Sequence, residues 1–423
     1  MTMMSFINST KAEQVFSKVA ATHAQTPYYK VMHRQNHQEL IAQCRPLVEL
    51  ISSNFDTHIY IGMGGAILNA MLAYSLMSGA DNRQKNTHFI STTDPRKFAE
   101  VAASIVDLTT TAFIVLSNSG ETIETISIMG AFINEFVRVG AGFSNNFFLC
   151  IGVDHPNTLK QFADSHGIKT VEYGTELCGR FSCFSNAFVL PAMLAGLDVH
   201  KFFNGANCVL DDFWDNQINS KPVQSALRIY QADKPIIATI SYSSYLDKYL
   251  EWYRQIVSES LGKNGKGFTP LIGIGPQEQH SMLQLYLDGP RDKFYSFIYI
   301  EGTQLPKNPV VANGVFSGHF TENKSLNQIN RALFDATLLC ITRSDDMPYH
   351  TLEYGNLSER TLGSLLMHST LEVVFLGLMM DLNPFDQPAV EAIKLSVRGL
   401  LIAFDQPAVE AIKAKAKDII AGG

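Results

Sequence analysis

His58-Ile-Tyr-Ile-Gly-Met-Gly-Gly-Ala66 is the stretch on which the fold turns. A β-rich run passes through a glycine turn straight into a helix-forming run at 66–77, the way a parallel strand hands over to its crossover helix. The rhythm recurs. His88-Phe-Ile90 is a second short strand, ended by Asp94-Pro95, and Ala112-Phe-Ile-Val-Leu116 is a third, followed by a turn at 117–121 and a helix over 122–137. A fourth strand is expected over 147–153. After a polar stretch near 204–231 the pattern restarts with strands at Pro235-Ile-Ile-Ala-Thr-Ile240 and Phe294-Tyr-Ser-Phe-Ile-Tyr-Ile300. Strands separated by helices predict parallel sheets covered on both faces. The expected class is α/β: two doubly wound parallel-sheet lobes with a helical C-terminal tail. The boundaries read as 1–50 for an N-terminal helical segment, 51–205 and 230–380 for the lobes and 381–423 for the tail, with helical character setting in near Thr361. Ligands of open α/β sheets bind at the carboxyl ends of strands, so both lobes are expected to aim their strand-end loops at one cleft.

Composition narrows the classes. The chain has 423 residues and a net charge of −7, which argues against a nucleic-acid partner. Hydrophobic residues make up 46% and charged ones 17%, the balance of a folded globular protein rather than a disordered one. The longest uninterrupted apolar run, at 187–197, contains Pro191 and is well short of the ~20 residues that span a bilayer, so no membrane role is expected. The start is mixed and polar, without a basic-then-apolar leader, and the 6 cysteines are scattered with no metal-binding spacing. Reduced thiols in a cytoplasmic protein are the expectation.

Several loops carry candidate chemistry. The turn Gly62-Met-Gly-Gly65 presents backbone N–H groups to an anion, with Gly65 the candidate binding residue. A dinucleotide fingerprint fails here, because position 67 is Ile and Asp94 lies too far downstream, so a nicotinamide oxidoreductase is disfavoured. Ser117-Asn-Ser-Gly-Glu-Thr122 clusters hydroxyls around a glycine where a strand meets a helix N-terminus. That arrangement suits a phosphate held by Ser117, Ser119 and Thr122, although serine and threonine also serve as ordinary helix caps. The loop has no cation of its own and contains Glu121. Gly262-Lys-Asn-Gly-Lys-Gly267 superficially resembles a nucleotide-binding loop, but Ser260 and Gly267 occupy the positions that need Gly and Ser or Thr. Cys178-Gly-Arg-Phe-Ser182 sets Arg180 in an apolar context, Gln255 and Glu259 share one helical face, and a glycine-rich loop delivers His280. Finally, Phe-Asp-Gln-Pro-Ala-Val-Glu-Ala-Ile-Lys occurs at 385–394 and again at 404–413. In the first copy Gln387 and Lys394 lie two turns apart on one face, a rise of ~10 Å.

In their order and kind these segments resemble the phosphoglucose isomerase family, built from two sugar-isomerase lobes, over most of the chain. The resemblance rests on Glu176-Leu-Cys-Gly-Arg-Phe-Ser182, Glu259-Ser-Leu-Gly-Lys263, Gln279-His280 and the run from Gly377 to Lys394. It implies interconversion of glucose 6-phosphate and fructose 6-phosphate through an enediolate, in glycolysis and gluconeogenesis, by a homodimer that needs neither cofactor nor metal. Glu259 would move the proton between C2 and C1, His280 and Lys394 would assist ring opening, and Arg180 would stabilise the enediolate. Gln255 and Gln387 would help bind the sugar phosphate with Gly65, Ser117, Ser119 and Thr122. Lys394 is preferred over Lys413 because Asn383-Pro384 precedes only the first copy. Four departures stand out: Cys178 where the family has glycine or proline, Ala66 where it has serine, Asn118 where it often has lysine, and Ala389 where it has glycine. A non-catalytic sugar-phosphate-binding regulator, or an isomerase that also accepts mannose 6-phosphate, are the alternatives.

The chemistry supports the same residues. Aldose–ketose isomerisation removes a proton α to a carbonyl, which calls for one carboxylate near both carbons and a cation for the developing oxyanion.

Overall fold

The computed structural model describes residues 3–22, 31–34, 36–76, 86–153, 155–174, 178–302, 308–343 and 346–403. These form strands β1 (Thr57–Gly62), β2 (Asn86–Ile90), β3 (Thr111–Ser117), β4 (Phe147–Ile151), β5 (Lys169–Glu172), β6 (Ile236–Ser241), β7 (Thr269–Ile274), β8 (Lys293–Ile300) and β9 (Tyr349–Tyr354), interleaved with helices. One sheet runs in the order 2-1-3-4-5 and the other 7-6-8-9, with every pairing parallel. The chain thus has the expected α/β class with two parallel sheets.

Interior strands are apolar because helices cover both of their faces. β1, β3, β4 and β8 are buried along their whole lengths. On one side of the first sheet Ile59, Ile61, Phe113, Val115 and Phe147 pack against Phe132 and Phe136 of the helix Ile123–Arg138. Sequence patterning does not predict β5, β7 or β9, and all three lie at sheet edges. Edge strands need less apolar cover: β5 is four residues of mixed burial, and β7 contains Pro270, whose missing N–H only an edge tolerates.

Two further expectations are corrected. The stretch near 204–231 is not a polar interval but part of the helices Val199–Asn216 and Lys221–Ala232. Phe202, Ala206, Leu210 and Phe213 are buried along one side of the first, so its polar residues are the outer face of an amphipathic helix. The helix that sets in near Thr361 does not open a tail. It is Glu359–Met379, buried along most of its length and packed against Val199–Asn216, Lys221–Ala232 and Asp247–Leu261. Among the described residues it alone is long and apolar enough to cross a membrane, and most of its apolar window is buried inside the protein. Two hydroxyl contacts tie it to Asp247–Leu261: Tyr253 donates to the buried Glu372 carboxylate at 2.8 Å, and the Tyr249 and Ser369 oxygens are 2.7 Å apart.

The chain divides into two compact units, the first ending at Pro384 and the second starting at Phe385. Both sheets belong to the first. The second contains the helix Pro388–Ala403, whose proline occupies a first-turn position where its missing N–H is no loss. The repeated copy at 404–413, with Lys413, lies outside the described residues, as do Glu176 and Leu177.

Candidate active site

The strand order 2-1-3-4-5 reverses between β1 and β3, and Gly62 pairs with Leu116 at their carboxyl ends. The two loops singled out in the sequence, 62–65 and 117–122, therefore emerge side by side at the crevice where such sheets bind ligands.

The second loop is a hydroxyl cluster. Thr122 Oγ1 lies 3.4 Å from Ser117 Oγ and 3.3 Å from Ser119 Oγ. Gly120 N donates to Ser117 Oγ at 3.1 Å, and Glu121 N donates to Ser119 Oγ at 3.2 Å. Thr122 is the N-cap of the helix Ile123–Arg138, yet its side chain makes no capping bond. The capping explanation of these residues therefore fails for Thr122, and its hydroxyl joins the cluster at the positive end of the helix. The Glu121 carboxylate is engaged at a neighbouring element, where it accepts from the backbone N and the hydroxyl of Thr158, at the start of the helix Thr158–His166.

The first loop seats on the segment that carries Arg180. A Cβ at Gly65 would fall 2.3 Å from Gly179 O, so no side chain fits between the two turns. One at Gly64 would lie 3.0 Å from Gln255 Nε2, which brings the helix Asp247–Leu261 against the same turn. Gln255 Nε2 in turn donates to Glu259 Oε1 at 2.9 Å. The hydroxyl loop, the glycine turn, Gln255 and Glu259 thus form one continuous series of neighbours.

Arg180 is the fixed point of this arrangement. Its side chain is 0% exposed, whereas that of Glu259 is 30% exposed. Nη1 contacts Glu259 Oε2 at 3.1 Å, Nε donates to Ser260 Oγ at 2.8 Å and Nη2 donates to Pro384 O at 2.7 Å. Trp252 Nε1 holds the Arg180 carbonyl at 2.9 Å. Ser182 Oγ accepts from Asn69 Nδ2 at 2.8 Å and donates to Gly179 O, locking the turn from below. Gln255 Oε1 is buried and receives no hydrogen bond from the described residues, which leaves an acceptor for a ligand hydroxyl. Burial pushes the neighbouring Cys178 thiol up to about 11, so it stays protonated at neutral pH. A partly exposed carboxylate beside a buried, immobile guanidinium can take a proton from a carbon acid and stabilise the resulting oxyanion.

The structure brings together Gly65, Arg180, Gln255 and Glu259, with Ser117, Ser119 and Thr122 at the adjoining loop. His280 is not joined to them by any hydrogen bond. It is exposed beyond the carboxyl end of β7, and its ring makes no hydrogen bond to the described residues. Gln387 and Lys394 belong to the second unit, where Gln387 O accepts from Val390 N at 3.2 Å and Lys394 is exposed on the helix Pro388–Ala403. Sequence reasoning assigns no role to Ser260, Trp252, Asn69 or the Pro384 carbonyl. Ser260 adjoins Glu259, but nothing in its identity says that it meets an arginine 80 positions earlier in the chain.

Comparison with known proteins places these observations in a family. The family model described as phosphoglucose isomerase matches residues 49–407. The glucose-6-phosphate isomerase of Methanocaldococcus jannaschii is 29% identical over 347 residues, covering 80% of this chain and 82% of that protein. The enzyme of the same name from Campylobacter jejuni is 26% identical over 81% of this chain and 84% of its own length. Among solved structures, a hypothetical protein of Thermus thermophilus superposes with a TM-score of 0.82 at 24% identity, covering 92% of this chain and 94% of its own. A glucose-6-phosphate isomerase from Chlamydia trachomatis gives 0.77 at 22% identity, covering 90% and 77%. The two structures establish likeness of fold.

Proposed function

The chain belongs to the phosphoglucose isomerase family, and from that premise we propose that it is an aldose–ketose isomerase interconverting glucose 6-phosphate and fructose 6-phosphate through an enediolate. The observation that carries the reading is the contact of Glu259 with both Arg180 and Gln255 beside the glycine turn of β1. Glu259 takes the proton from C2 of the open-chain aldose and the electron pair moves onto O1; the hydroxyl proton then passes from O2 to O1, and the same carboxyl group returns the carbon-bound proton to C1 as the C2 carbonyl forms. Electrons stay within the sugar, so the reaction consumes no external oxidant or reductant. Arg180 faces the oxyanion as charge develops, and its burial removes the competition of water for that charge. Gln255 Oε1 accepts a sugar hydroxyl. Ser117, Ser119, Thr122 and the Gly65 N–H hold the phosphate, with Gln387 assisting, and His280 and Lys394 exchange protons during ring opening.

The lobes proposed for this work are 51–205 and 230–380. We take the working form to be a cytoplasmic homodimer serving glycolysis and gluconeogenesis. The test is incubation of the purified protein with fructose 6-phosphate in D2O, without added cofactor. Glucose 6-phosphate carrying deuterium at C2 is the expected product. A protein that binds the sugar phosphate without converting it is a regulator, and product without deuterium excludes a solvent-exchanging base. Mannose 6-phosphate in a parallel reaction defines the breadth of substrate use.

A further inference from the structure

Gly262-Lys-Asn-Gly-Lys-Gly267, excluded as a nucleotide loop by its spacing, has no part in the chemistry assigned so far. Its lysines point to one. The helix Glu359–Met379 ends in a left-handed turn, in which Leu382 N donates to Gly377 O at 2.9 Å and Asp381 takes a φ of 59°. Aspartate is one of the few side chains that accept that conformation. Gly377 lets the turn fold flat on its neighbours, since a Cβ there would lie 3.1 Å from Leu261 Cδ2 and 3.2 Å from Pro384 Cβ.

Cations then grip the turn, as the negative end of a helix favours. Lys263 Nζ donates to Asn383 O, and Lys266 Nζ donates to Met380 O at 2.8 Å. Lys11 pairs with the Asp381 carboxylate at 2.9 Å, and Arg180 Nη2 closes on Pro384 O. The last of these is the link to chemistry. A guanidinium is planar, so holding its Nε edge on Ser260 and its Nη2 on Pro384 sets the direction of Nη1 toward Glu259. Glu259, Ser260 and Lys263 lie on one short stretch of chain. That stretch bonds the arginine directly and, through Lys263, holds the residue next to the arginine's far anchor.

Resting on the isomerase reading above, we propose that Lys263 is a positioning residue for Arg180, acting through the Asn383–Pro384 peptide rather than on the substrate. Lys266 contributes less, because its bond goes to Met380 O, whereas that of Lys263 goes to the residue adjoining the Pro384 carbonyl that anchors Arg180.

Steady-state kinetics with fructose 6-phosphate test this on wild type, Lys263→Met, Lys263→Arg and Lys266→Met, together with their melting temperatures. Lys263→Met is expected to lower kcat ~10-fold, a fraction of what a full 1 Å misplacement costs, with KM within about twofold. Lys263→Arg restores most of the rate by keeping a donor on a long stem, and Lys266→Met changes kcat by less than about twofold. A folded Lys263→Met with unchanged kcat, or with KM rising in place of the fall in kcat, overturns the proposal. Should that variant not fold, Lys263→Gln keeps a shorter donor and must show an intermediate kcat at unchanged KM, and wild-type kcat there overturns the proposal equally. Absence of isomerase activity in the wild type sinks the functional reading itself, whereas an active wild type with an indifferent Lys263→Met sinks only the positioning role.

Discussion

Replacing Glu259 by glutamine separates two things the carboxylate does: it pairs with a buried cation, and it moves a proton. Removing one member of a fully buried ion pair costs about 3–5 kcal/mol of stability. This pair is only partly of that kind. Glu259 is 30% exposed, and Arg180 keeps Ser260 and Pro384 as partners. The glutamine also preserves an oxygen that can accept from Nη1. A loss of about 1–2 kcal/mol is therefore expected, no more than a few degrees in Tm for a chain of this size. Catalysis responds on another scale. A positioned base contributes about 10²–10⁴-fold, or ~3–5 kcal/mol at 1.36 kcal/mol per factor of ten. Glu259→Gln should thus fall at least ~100-fold in kcat while KM stays within about threefold, because the base acts in the transition state and the phosphate anchor is untouched. Progress of fructose 6-phosphate conversion, with solvent-deuterium incorporation at C2, measures the first, and thermal unfolding measures the second. A variant that folds normally and still turns over within about fivefold of wild type would falsify the assignment of the base.

Other sites give independent outcomes. Gly65→Ala puts a methyl group against Gly179 O, so kcat should drop and stability fall by about 1–3 kcal/mol as the Arg180 turn is displaced, checked by kinetics and calorimetry together. Ser117→Ala removes a cluster hydroxyl and the acceptor for Gly120 N, and is expected to raise KM for the phosphosugar ~10-fold with little change in kcat. Glu121→Gln should leave KM within about twofold and cost about 0.3–1 kcal/mol, because its carboxylate serves the Thr158–His166 helix; a large KM change would place that carboxylate at the phosphate after all. Burial holds the His350 imidazole down to about 4 from its ordinary 6.5, so the unfolded chain binds the extra proton between those values and stability falls as the pH drops through that window. The full effect is about 3 kcal/mol, and His350→Leu should flatten the dependence of Tm on pH between 6.5 and 4.

The sequence and the structure agree where burial acts on both faces of an element at once. β1, β3, β4 and β8 are apolar runs because helices lie above and below them, and that demand leaves a direct mark on composition. The edge strands β5, β7 and β9 carry no such mark, since one neighbour and partial solvent exposure tolerate lysine, proline and tyrosine. The site divides in the same way. Glycines followed by a helix, and hydroxyls at a helix start, are local patterns that announce an anion site. The environment of Arg180 is assembled from Glu259, Ser260 and Pro384, and no local pattern in any of those segments encodes the meeting. A glycine-rich loop and a shared helical face single out His280 and Lys394, but their roles in ring opening come from the resemblance alone.

The bond from Arg180 to Pro384 spans 204 positions of sequence. On a ribosome adding about 5–20 residues per second, the acceptor for that arm is made roughly 10–40 s after the arginine itself. A nascent chain has time to complete the first sheet and most of the second while the guanidinium still lacks its last partner. Until Pro384 is made, the arginine has Ser260 and Glu259 to meet but not the carbonyl that completes its surroundings.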